Sequence, residues 1–269
     1  MKTMALTAAA VLGLAGTASA MPTFITTLGN TLYRTTNGVT SQFTLSDDIT
    51  SLEVMGDGTI YGASRTDDDN DGFFELYRLD DAEGTPSLTL MGDFLANNTP
   101  SLLMSGGTLY GFQHTPGGSD NSDLVTIDAV GGTQASVGTI GTRVNSSGFD
   151  HDLGEAWGMN RGSDVNSMLH SVDLGTPGSS PVGSTGVQTF NAGGDFWNGT
   201  LYRAFENGDT LRLATIDTGS GAQTPFLTLA MGVSNTGVGT TDVGLVIIPT
   251  PGTGAIIGLA GLAALRRRR

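Results

Sequence analysis

Leu76-Tyr77-Arg78-Leu79-Asp80 comes back along the chain as Leu124-Val125-Thr126-Ile127-Asp128, Leu169-His170-Ser171-Val172-Asp173 and Leu213-Ala214-Thr215-Ile216-Asp217. Leu32-Tyr33-Arg34-Thr35-Thr36 is a degenerate first copy. The leading leucines are 44, 48, 45 and 44 residues apart, and a near-constant period of that length marks a repeat architecture. Within each copy apolar and polar residues alternate, as in a strand with one buried face.

Working outward, every unit carries the same further features. A Gly-rich turn leads to a second strand, seen at 43–45, 88–91, 135–137 and 226–229. A third short segment follows at 51–55 and 101–104, and a closing strand at 59–62, 108–111, 155–158 and 200–202. The turns before the closing strands include Asp57-Gly58, Gly106-Gly107 and Asn198-Gly199, which are strong hairpin signals. Four short antiparallel strands per unit make a propeller blade. The expectation is an all-β fold, a β-propeller of about five four-stranded blades, with six blades, a stacked solenoid and a β-sandwich as alternatives. Phe24 to Leu28 reads as an extra strand that completes the last blade and closes the ring from the N-terminus. Tyr61, Tyr110, Trp157 and Tyr202 recur once per unit and read as packing between neighbouring blades.

Composition fits many turns and little helix: 41 of 269 residues are glycine. There is no cysteine, so neither disulfides nor thiol chemistry are available. Of the 12 basic residues, Lys2 and Arg266 to Arg269 lie at the ends, which leaves seven arginines against 26 acids and a body charge of −19. Such a surface repels phosphate backbones and attracts divalent cations, so nucleic acid is not an expected partner.

Both ends read as processing signals. Lys2, an apolar stretch from Ala5 to Gly16 and the small-x-small site Ala18-Ser19-Ala20 form a secretory signal peptide over 1–20. The repeat body then covers 21–248, and 249–269 is a separate tail. In that tail Pro249-Thr250-Pro251 precedes the apolar run Gly254 to Leu265 and the terminal Arg266 to Arg269. As a helix the run would be about 18 Å long against about 30 Å of hydrocarbon, too short to span comfortably alone. This three-part order resembles the PEP-CTERM sorting signal, with Pro-Thr-Pro in place of that family's usual Pro-Glu-Pro. The resemblance implies processing by an exosortase-type membrane peptidase, transient membrane contact through the tail, and a final place at the cell envelope surface or outside the cell. The body, more loosely, resembles propellers of bacterial exported proteins with Leu-Tyr-x-[Leu/Ile]-Asp and Gly-x-Leu-Tyr-Gly repeats.

The sharpest chemical motif is Asp67-Asp68-Asp69-Asn70-Asp71-Gly72-Phe73-Phe74-Glu75. Acidic oxygens at positions 1, 3, 5 and 9 with glycine at 6 suit calcium, because alternate side chains converge while glycine permits the tight turn. Position 12 is Arg78, where an EF-hand needs a bidentate acid, which argues against an EF-hand. The spacing resembles the calcium hairpin of integrin-type FG-GAP repeats, with Glu75 where Asp is more usual. The expected calcium ligands are Asp67, Asp69, Asp71 and Glu75 through side chains and Phe73 through its carbonyl. A second cluster, Asp150-His151-Asp152-Leu153-Gly154-Glu155, occupies a turn slot and reads as a solvated turn. His114 and His170 are isolated in sequence, and no Gly-x-Ser-x-Gly elbow or phosphate loop occurs. The functional expectation is an exported, non-enzymatic binding or structural propeller whose partner is polysaccharide or a surface protein. The alternative is an extracellular glycan hydrolase or lyase with a carboxylate pair at the central channel.

Overall fold

The computed structural model describes residues 22–64, 72–114, 120–160, 166–189, 192–233 and 243–248. The expected leader and tail, along with Asp67, Asp69 and Asp71, lie outside these. Pro22–Ile248 forms one compact body.

Twenty strands make five four-stranded antiparallel sheets, and no helix occurs among the described residues. The first blade holds β1 (Thr23–Leu28), β2 (Thr31–Thr36) and β3 (Val39–Thr44). The second holds β4 (Ile49–Val54), β5 (Ile60–Ser64), β6 (Phe74–Asp80) and β7 (Ser87–Leu95). The third holds β8 (Ser101–Ser105), β9 (Thr108–His114), β10 (Ser122–Asp128) and β11 (Thr133–Thr139). The fourth holds β12 (Val144–Asp150), β13 (Glu155–Asn160), β14 (Met168–Asp173) and β15 (Gly178–Ser184). The fifth holds β16 (Ala192–Trp197), β17 (Thr200–Asn207), β18 (Thr210–Ile216) and β19 (Gln223–Met231). The last strand, β20 (Val243–Ile248), returns to the first blade and pairs with β1, from Thr23 opposite Ile248 to Leu28 opposite Val243. The inner strands β20, β4, β8, β12 and β16 touch in a closed cycle, so the fold is a five-bladed propeller.

Ring closure therefore differs from the sequence expectation. Phe24 to Leu28 belongs to the first blade, not the last, and the C-terminal strand completes that blade from inside. The burial pattern explains the choice. Val243 to Ile247 are all buried, an apolar run suited to an axial position, whereas a strand at the ring's exterior would alternate. The sequence unit also differs in phase from the blade. Each unit, starting at its leucine-led strand, contributes two outer strands to one blade and two inner strands to the next, except the last, which supplies only β20 while β1 comes from the N-terminus.

That offset explains why the leucine is the most regular residue of the unit. Leu32, Leu76, Leu124, Leu169 and Leu213 are all fully buried. Each lies in the apolar cluster between its own blade and the following one, Leu213 reaching round to Phe24, Leu245 and Ile247 of the first. The core is thus five wedges between neighbouring blades. Tyr61 and Trp157 belong to these wedges and Tyr110 and Tyr202 pack against them, as the once-per-unit spacing implies. Tyr202 meets Phe24 edge-on at 5.4 Å, joining the fifth blade to the first.

The motif aspartate ends the strand. Asp128 Oδ1 accepts the amides of Val130 and Gly131 at 3.1 and 2.8 Å. Asp173 Oδ1 accepts those of Gly175 and Thr176, both at 2.9 Å, and Asp217 Oδ1 those of Gly219 and Ser220 at 3.0 and 2.8 Å. These side-chain turns reverse the chain into the outermost strand. Asn37-Gly38, Gly106-Gly107 and Asn198-Gly199 have two consecutive positive φ angles, as tight hairpins require. Asp57-Gly58 instead sits in a longer turn, closed by the Met55 amide donating to the Thr59 carbonyl at 2.7 Å.

Candidate functional site

In four blades, one position of the inner strand lies opposite the once-per-unit aromatic. Glu53 faces Tyr61, Leu103 faces Tyr110, Gly148 faces Trp157 and Asp195 faces Tyr202. Two of these four side chains are carboxylates on strands that line the axis, and they are the strongest candidate site among the described residues.

Their hydrogen bonds match. Glu53 Oε1 accepts the amide of Val54, the next residue, at 3.0 Å, and the carboxylate also accepts the backbone of Met104 on the next blade's inner strand. Asp195 Oδ1 accepts the amide of Phe196, again the next residue, at 2.6 Å. Asp195 Oδ2 accepts the amide of Ile247, on the inner strand of the following blade, at 2.6 Å. An inner strand pairs within its sheet on one side only, so these amides need acceptors from elsewhere. Each carboxylate supplies one and so ties its blade to the next.

The electrostatics are strained in one direction. Burial pushes Glu53 well above the usual carboxylate range, and the negative charge of Asp195 raises it further, against the lowering effect of the two backbone donors. Burial pushes Asp195 up to about 7 despite its own two donors. Asp195 keeps some accessible surface while Glu53 is 8% exposed, which agrees with the larger rise falling on Glu53. Burial therefore disfavours ionising both acids, and the charge of Asp195 adds to the cost of ionising Glu53.

The sequence reading did not single out these acids. Its signal was faint: an acid inside the segment Ser51 to Met55, whose counterpart in the next unit is the apolar Ser101-Leu102-Leu103-Met104.

Of the expected calcium ligands, Phe73 and Glu75 lie within the described residues. Phe73 is exposed, and Gly72 before it has φ +92° with open space around it, so its role there is conformational. Glu75 is buried at the start of β6, where its carboxylate accepts the Ser64 hydroxyl and its amide donates to Ser64 Oγ at 3.1 Å. Ser64 and Glu75 thus pin the two strands that flank the acidic loop. Among the described residues no group of three or more metal-binding side chains occurs.

The second acidic cluster is a turn between β12 and β13, as its slot in the repeat implies. Asp150 Oδ1 accepts the amides of Asp152 and Leu153 at 2.9 and 3.1 Å, so this carboxylate builds the turn. Beside it, a cleft of about 390 Å³ is lined by Ser105, Phe149, Glu155, Trp157, Asp173 and Leu174 among others. His114 is not isolated in space, because the Arg143 guanidinium reaches its ring nitrogens at 3.1 and 2.8 Å. His170 is buried in β14 with neither ring nitrogen hydrogen-bonded, and burial pushes it down, so it stays neutral.

No protein-family model matches the chain, and no curated protein matches it. Among solved structures it is similar to TolB from Acinetobacter baumannii, with a TM-score of 0.52 at 13% identity over 84% of this chain and 67% of that one. It is also similar to an exo-beta-1,3-galactanase from Phanerochaete chrysosporium, with a TM-score of 0.48 at 12% identity over 65% of this chain and 49% of that one. At 13% identity the likeness to TolB is one of fold.

Proposed function

We propose that this chain is an exported, cell-surface or matrix-associated propeller without catalytic activity, a binding or structural protein handled by an exosortase-type system. The observation that carries the non-enzymatic reading is the state of the two axial acids. Glu53 and Asp195 each accept two backbone amides and join neighbouring blades. A glycosidic acid must reach the sugar's leaving oxygen, and Glu53 at 8% exposure has no such reach. Export and sorting are supported by the leader at 1–20 and the Pro-Thr-Pro, apolar and tetra-arginine order of 249–269. The cleft beside Trp157, with aromatic walls and carboxylates at Glu155 and Asp173, suits a polysaccharide or a surface protein. Calcium at Asp67, Asp69, Asp71, Glu75 and the Phe73 carbonyl is part of the same proposal, because five acids within nine residues repel one another without a cation.

One observation favours the hydrolase reading, namely two carboxylates whose affinities for protons are raised at the axis. Cell fractionation tests the main proposal. The intact chain is expected in the envelope or outside, and a chain ending at Ile248 in a different fraction; equal distribution of the two ends the sorting reading. Calorimetry with calcium is expected to give heat that Asp69→Ala abolishes. Release of reducing sugar from a polysaccharide panel, lost in both Glu53→Gln and Asp195→Asn, would replace the proposal with the enzyme.

A further inference from the structure

The fifth blade buries a positive charge, and among the described residues nothing negative pairs with it. In the second, third and fourth blades the residue after the recurrent aromatic is Gly62, Gly111 or Gly158; in the fifth it is Arg203. A Cβ on any of those glycines would press on Ile49, Thr99 or Val144 side chains at 2.8 to 3.1 Å. The fifth blade differs there. Arg203 pairs in register with Gly194 on one side and Ala214 on the other, so small residues flank the long side chain.

Arg203 is 1% exposed, the largest fully buried side chain among the described residues. Nη1 donates to Gln223 Oε1 at 2.9 Å, and Nη2 donates to Ser167 Oγ at 3.3 Å and to Thr189 Oγ1. The two hydroxyl oxygens are 3.0 Å apart. All these partners are neutral, and among the described residues no carboxylate forms an ion pair with the guanidinium. Two buried donors in the cluster lack any acceptor, Arg203 Nε and Gln223 Nε2. Burial lowers the guanidinium to about 9, which leaves it charged at neutral pH. An uncompensated buried charge with unused donors is among the most unfavourable arrangements a core can contain. Arg203 Nε and Gln223 Nε2 each call for an acceptor, and the charge calls for a negative one.

We propose that Arg203, Gln223, Ser167 and Thr189 bind a small monovalent anion of halide size, chloride in an ordinary medium, in place of the missing carboxylate. Burial sets the size: Arg203, Ser167 and Thr189 are each at most 2% exposed, which disfavours a larger polyatomic anion beside them. The ion would link the fifth blade to the segment before β14 and to the connection from β15 to β16, since Ser167 precedes β14 and Thr189 follows β15.

The purified full chain is melted in rising sodium chloride, with sodium gluconate holding ionic strength constant. The melting temperature is expected to rise by about 3 to 6 °C and then saturate, as for a ligand bound only by the folded state. Arg203→Met removes the charge and is expected to give a flat chloride response. Should that variant not fold, Thr189→Val keeps the charge and is expected to shift the response to higher chloride. A crystal soaked in bromide is expected to give an anomalous peak within about 3.5 Å of Arg203 Nε, a hydrogen-bonding distance for a halide. A wild-type melting curve indifferent to chloride overturns the proposal, as does finding a water or one of the chain's own carboxylates at that place.

Discussion

The third strand of each blade and the innermost strand obey different rules. On the third strand the unit barely varies: leucine leads all five copies, each fully buried, and four of them end in aspartate. On the inner strand the position opposite the aromatic holds Glu53, Leu103, Gly148 and Asp195, four unlike side chains. The leucine must fill the wedge against the next blade, and that wedge has the same shape five times. The axis is shared by all blades at once, so one blade can give up volume or add charge there if its neighbour compensates. Regularity marks what holds the ring together, and irregularity marks where a blade carries something of its own.

Breaking the regular side is expected to have the largest effect. Leu124→Ala or Leu213→Ala should cost about 3 to 4 kcal/mol, as for a fully buried leucine in a close-packed core. Urea unfolding measures it, and a loss under about 1 kcal/mol would mean the wedges are loosely packed. The irregular side is sharpened by pH. Asp195, at about 7 when folded against 3.8 as the ordinary value, binds its proton more tightly in the native state. Stability from this group is therefore complete below about pH 4 and is lost as pH rises through about 7. Glu53 shifts in the same direction. Asp195→Asn should flatten the dependence over that window by roughly 2 to 4 kcal/mol relative to wild type. Parallel curves for the two proteins would show that the acids are not thermodynamically linked to folding. The smallest effect is expected at the outer turn. Asp173→Ala removes the one carboxylate oxygen that accepts two amides at an exposed site and should cost about 1 kcal/mol, read as a small fall in the urea midpoint.

Much of the architecture was legible in the sequence because the wedge residues repeat. The period of the leucines, the alternation around them and the hairpin turns point to four-stranded blades, about five of them, while leaving six blades, a solenoid and a sandwich open. The phase of the blade was not legible, because a repeat in a closed ring has no intrinsic start, and the leucine strand is only the most regular of the four. The closure was missed for a related reason. Val243 to Ile248 shares no motif with the other inner strands, and only its uninterrupted apolar run marks it as axial. Glu53, Asp195 and Arg203 escaped because each is a single departure from the pattern, and their meaning depends on backbone amides or absent partners that distance in sequence conceals. Ile247 and Asp195 are 52 positions apart.

The pairing of β20 with β1 has a kinetic corollary. The axial strand of the first blade follows every other described strand in the chain, so β1 to β3 wait with an open edge while four blades assemble behind them. Shortening the chain before Val243 would leave that edge unzipped, a template for a neighbouring molecule's strand. Arrival of β20 and completion of the first sheet are thus one event.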